Sequence, residues 1–84
     1  MSLLNFFRRS RPDKRYRFRF ELDREDDGRF IAEILDIPGA LAYGETEPEA
    51  VRRAAALAIR VVADRIEAGK EEYPSDTQFT FTHA

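Results

Sequence analysis

Asp26-Asp27-Gly28-Arg29-Phe30-Ile31-Ala32-Glu33-Ile34, followed by Asp36-Ile37-Pro38-Gly39 and then by Gly44-Glu45-Thr46-Glu47-Pro48-Glu49-Ala50, decides the fold. The Asp27-Gly28 pair suits a hairpin turn, because glycine reaches positive φ without a Cβ clash. Phe30 to Leu35 reads as the returning strand, with Ala32 small enough for a helix to approach closely. Pro38 lacks an N–H and Gly39 permits a sharp reversal, so the ladder breaks there. Ala40 to Gly44 reads as a short third strand. Thr46 then caps a helix with Glu49 at the third helical position, the spacing of a capping box, and Pro48 falls in the first turn where its missing N–H costs nothing.

Working outward, Tyr16, Phe18, Phe20 and Leu22 alternate with Arg17, Arg19 and Glu21, the period-two pattern of a half-buried strand ahead of the hairpin. The helix carries an apolar stripe of Ala50, Ala54, Leu57, Ala58 and Val61, widened by Val51, Ile59, Val62 and Ile66, and Gly69 marks its C-terminal end. After the turn signal Pro74-Ser75-Asp76, Thr77 to Thr82 alternates again around Phe79 and Phe81. This strand must pair back with the sheet or with the sheet of a second chain. The predicted architecture is α+β in the order β-β-β-α-β, a three- to four-stranded, mainly antiparallel sheet packed on one long helix. Residues 15–84 form the domain, and residues 1–14 form a basic N-terminal arm.

At 84 residues the chain holds one domain. A domain of this size buries only about 60 % of its unfolded surface, and without cysteine it has no disulfide to compensate, so a homo-oligomer is expected. The lack of cysteine suits a reducing cytoplasm. No stretch approaches the roughly twenty apolar residues of a membrane span. Leu3, Leu4, Phe6 and Phe7 precede Arg8 and Arg9, the reverse of a secretory signal.

The net charge of −2 hides an asymmetry, since residues 1–20 carry +6 and residues 21–84 carry −8. An acidic body repels polynucleotides and attracts a basic protein. Arg8, Arg9 and Arg11 in the arm, with Arg15, Arg17 and Arg19 on the first strand, are candidates for an anionic partner: nucleic acid, an acidic protein or, beside Phe6 and Phe7, anionic lipid. The simpler and favoured reading of the arginine row is an outer face wet by solvent or paired with Glu33 on the next strand.

Little here can break bonds. His83 is the only histidine and sits beside the last residue, and Ser2, Ser10 and Ser75 are the only serines, so no catalytic triad assembles. Glu25, Asp26 and Asp27 cluster on a turn, where adjacent side chains diverge into solvent, and Glu71 and Glu72 behave alike. Neither group has the spacing of a calcium loop or a helical carboxylate–histidine site. Gly39 and Gly44 lack the Gly-Lys-Thr of a phosphate-binding loop. Neither a catalytic residue nor a cofactor or metal site is expected.

The opening segments, taken together, resemble the HicB-like family of bacterial and archaeal antitoxins. The likeness rests on Gly28, Phe30, Ala32, Pro38, Gly39, Gly44, Thr46, Glu49 and Ala50 at matching spacing and spans residues 16 to 69. It implies a partial ribonuclease-H-like module without nuclease activity, which binds a small HicA-type mRNA interferase and covers its active site, commonly as a dimer or larger oligomer. Many relatives add a C-terminal DNA-binding domain; fifteen residues follow Gly69 here, too few for a helix-turn-helix, so neither a stand-alone repressor nor a fully conventional antitoxin is expected. Ala40 stands where relatives often carry a cysteine or polar residue. The expected contact groups are Asp23, Glu25, Asp26 and Asp27 on the hairpin and Glu33 on the sheet. The alternative is an oligomer that binds nucleic acid or a membrane surface through its basic arm, with the body as a platform.

Overall fold

The computed structural model describes residues 15–71 and 77–84, with Arg15 described through its backbone alone. The basic arm with Arg8, Arg9 and Arg11, and the Pro74-Ser75-Asp76 turn, lie outside the described residues. The order is β1 (Arg15–Arg24), β2 (Phe30–Ile34), β3 (Leu41–Gly44), α1 (Glu47–Glu67) and β4 (Gln78–His83). One four-stranded sheet, ordered β3-β2-β1-β4, packs against the helix. Two of its three pairings are antiparallel, and β4 joins β1 in parallel.

β1 is longer than the alternating run alone implied, and it serves two partners in succession. Arg15 to Phe20 pair with Gln78 to His83, while Phe20 to Arg24 pair with Ile34 to Phe30. Within β1, only Phe20 has strand partners on both sides among the described residues. Where β2 has ended, the loop takes over the ladder: Leu35 N donates to Arg19 O (2.8 Å) and Arg19 N donates to the Asp36 carboxylate (2.7 Å). A side chain there replaces a strand.

The turns follow from their residues. Gly28 N donates to Glu25 O (2.9 Å) with Gly28 at φ 91°, closing the β1–β2 hairpin. Ala40 N donates to Ile37 O (3.1 Å) across Pro38 and Gly39, whose φ of 84° is what the third position of a type II turn requires. At the far end of α1, Gly69 N donates to Ile66 O (3.0 Å) and Lys70 N to Arg65 O (2.9 Å), the paired bonds of a Schellman cap.

At the helix entrance Glu49 N donates to Thr46 Oγ1 (3.2 Å). The return bond of the expected capping box is displaced by one residue, since Glu45 N rather than Thr46 N donates to Glu49 Oε1 (2.9 Å). The helix presents Ala50, Ala54, Ala58 and Val62 to the sheet, all 0 % exposed, and Ala32 faces them, also 0 % exposed. Small residues on both sides bring backbone close to backbone, and Ile34, Ile37, Ala40, Tyr16 and Phe18 complete the core. Ile59, expected in the apolar stripe, is exposed: the line of contact runs through every fourth residue from Ala50, and Ile59 lies one residue past it. α1 lies over β2 and β3 and meets β1 only at its margin. No helix among the described residues is long and apolar enough to cross a membrane.

Candidate functional site

Strand parity divides the sheet into two unlike faces. Tyr16, Phe18, Phe20, Leu22, Phe30, Ala32, Ile34 and Ala42 turn toward the helix, with Phe79, Phe81 and His83 beside them. Among the described residues no helix lies over the opposite face. There the register sets Asp23, Ile31 and Tyr43 in one row across β1, β2 and β3, and Glu21, Glu33 and Leu41 in the next. Arg17 and Arg19 follow along β1, opposite Thr80 and Thr82 of β4. The result is an acidic end, a basic end, and an apolar strip of Ile31, Leu41 and Tyr43 along the acidic end.

Leu41 and Tyr43 are 39 % and 38 % exposed, two of the three large hydrophobic residues most open to solvent among those described. The Tyr43 ring is covered by the Arg29 guanidinium, whose carbon lies 4.4 Å from the ring centre. Arg29 is itself anchored, with Nε 2.8 Å from Asp27 Oδ2 and its backbone N–H donating to Asp27 Oδ1 (3.0 Å). The N–H of Arg29, then its guanidinium, hold the Asp27 carboxyl below its ordinary pKa. Tyr43 is further fixed through its carbonyl, which accepts from Arg53 Nη1 (3.1 Å).

Of the expected contact residues, Asp23 and Glu33 share this face, one row apart. Asp26 is exposed at the hairpin tip and Glu25 is half-buried beside it. Asp27 is committed to Arg29, so its charge is locally compensated. The arginine row divides: Arg19 pairs with Asp36 (Nη2 to Oδ1, 3.0 Å), not with Glu33, because Glu33 lies opposite Glu21 and Leu41. The Arg19 guanidinium, then its N–H, depress the Asp36 pKa.

Three contributors were not singled out from sequence as contact groups. Glu21 stands directly opposite Glu33, two like charges side by side, and its parity on β1 with Arg17 and Arg19 was the available signal. Leu41 and Tyr43 join the face only through the β2–β3 register, which the short third strand does not reveal by itself. Among the described residues no group of His, Cys, Asp or Glu is gathered so as to hold a metal ion. No family model, curated protein or solved structure matches the chain.

Proposed function

We propose that the chain is a non-catalytic, HicB-like interaction module, an antitoxin or a relative of one, which masks a small basic protein of the HicA mRNA-interferase type and works as a cytoplasmic homo-oligomer. The observation that carries this reading is the sheet face turned away from α1, where Glu21, Asp23 and Glu33 border the exposed Leu41 and Tyr43. An RNA-cleaving protein needs a basic surface for its substrate, and a carboxylate-edged apolar strip complements such a surface. The apolar strip supplies area removed from water, while the charges accelerate and orient the encounter. Glu21 and Glu33, opposed across the strands without a cation between them among the described residues, gain when a partner's cation fills that place.

Mixing a purified HicA-type toxin with the full chain over a range of salt tests the reading. Association that weakens as salt rises, and weakens again in a Glu21→Gln/Asp23→Asn/Glu33→Gln variant, supports it. Absent or salt-insensitive association rejects it. Removing residues 1–14 separates the alternative, because binding through the basic arm disappears with the arm and binding through the sheet face survives.

A further inference from the structure

β4 is an edge strand without the usual protection of an edge. Among the described residues its strand partner is β1 alone, α1 packs chiefly on β2 and β3, and no strand lies on its other side. Soluble proteins blunt such edges with charges, prolines or bulges. Gln78-Phe79-Thr80-Phe81-Thr82-His83 has no acidic residue, Lys, Arg or Pro, and its aromatic and β-branched residues favour strand pairing.

The hydrogen-bond parity of this strand is fixed. Ala84 N donates to Phe20 O (2.8 Å), so the even-numbered backbone groups of β4 face β1 and those of Phe79, Phe81 and His83 face outward. The side chains of Phe79 and Phe81 continue an aromatic layer on the helix side of the sheet. Phe79 stacks on Tyr16 with ring centres 5.0 Å apart, Phe81 meets Phe18 at 5.4 Å, and both remain half-buried.

We infer that β4 pairs antiparallel with β4 of a second copy of this chain about a two-fold axis at Thr80, joining two four-stranded sheets into one of eight. In this register Phe79 lies opposite Phe81 of the second copy, twice over, so the outward N–H and C=O groups of both residues pair and the aromatic layer runs on through the junction. Thr80 meets its own counterpart on the opposite face, and Gln78 meets Thr82. A register one step further on, centred at Phe81, keeps one Phe–Phe pair and sets each Phe79 against a histidine. The uncharged, alternating edge is thus self-complementary. This deepens the oligomeric part of the proposed function and rests on that part alone; the acidic face lies elsewhere on the sheet and stands or falls separately.

The axis at Thr80 supplies the test. In the full chain, Thr80→Lys and Thr80→Glu each place two like charges together across the axis. Analytical ultracentrifugation is expected to show a wild-type dimer, at least tenfold weaker association of each variant alone, and a heterodimer restored in their equimolar mixture. That recovery separates charge repulsion from misfolding, since Thr80→Lys also adds a cation beside Arg17. Amide exchange of the wild type is expected to slow with concentration at Phe79 and Phe81, while Thr80 and Thr82 are slow throughout. A wild-type chain that stays monomeric, variants that still dimerise alone, a mixture that yields no heterodimer, or a dimer with unprotected Phe79 and Phe81 amides overturns the inference. Loss of toxin binding with the dimer intact leaves it standing.

Discussion

Gly44 and Ala50 meet backbone to backbone: a Cβ on Gly44 would lie 2.5 Å from the Ala50 nitrogen and 3.0 Å from its Cα. This contact sets how closely the start of α1 sits on the end of β3, and it explains why the small residues Ala32, Ala54 and Ala58 can be fully buried between helix and sheet. The neighbouring atoms are main chain, so no rotamer change relieves the clash. Gly44→Ala is expected to lift the helix entrance and cost about 1–3 kcal/mol, the range for overpacking a tight core. Urea unfolding followed by circular dichroism measures it, and an unchanged midpoint contradicts the contact.

The larger core side chains carry a second expectation. Ile34 is 1 % exposed beneath the helix, whereas Ile59 on the helix is 37 % exposed. Ile34→Ala is expected to cost about 2–5 kcal/mol through lost burial and a residual cavity. Ile59→Ala should stay within about 0.5 kcal/mol, as surface substitutions do. Similar losses in the two variants would mean that the helix is rotated from this packing.

The sequence was legible where local chemistry decides. The hairpin glycine, the Pro38-Gly39 turn, the Thr46 cap and the Gly69 terminus each name their own geometry, and each occurs where its residues place it. Partnership between distant segments was not legible. The run from Thr77 to Thr82 announced a strand, but its parallel union with the first half of β1, on the edge opposite β2, joins segments about sixty residues apart and has no local signal. The contact face suffered similarly: parity gave the row of Glu21 with Arg17 and Arg19, while the neighbours of Glu33 came only with the register.

Asp36 yields an acid-side prediction. Its carboxylate accepts the Arg19 N–H and guanidinium, which lower its pKa below the ordinary 3.8. A carboxyl depressed in the folded state contributes stability present above its unfolded value and lost as pH falls through the folded one. Unfolding midpoints should therefore drop below about pH 4, and Asp36→Asn should remove part of that drop. Identical acid limbs in the two proteins would place the titration elsewhere.

The alkaline side belongs to Tyr16. Its hydroxyl donates to Glu71, which also lies 3.5 Å from Arg65 at the end of α1, tying the first strand to the helix terminus. Burial, then the hydrogen bond and charge of Glu71, push the phenol from 10 up to about 12. The unfolded chain loses this proton first, so the stability from the interaction is whole below pH 10 and disappears as pH rises to about 12. Urea midpoints measured across that window should fall more steeply in the wild type than in Tyr16→Phe, and parallel slopes would refute the assignment.

Glu33 separates stability from function. It faces Glu21 across β1 and β2 on the side of the sheet away from α1, and directly opposed like charges are unfavourable. Glu33→Lys converts that pair into one of opposite sign and is expected to raise stability by about 0.2–1 kcal/mol. The same substitution adds a cation to the face assigned to a basic partner, so association should weaken and its salt dependence shrink. A variant that is more stable yet binds less well cannot be explained by unfolding, which makes the paired measurement decisive. Greater stability with undiminished binding would move the contact away from this face.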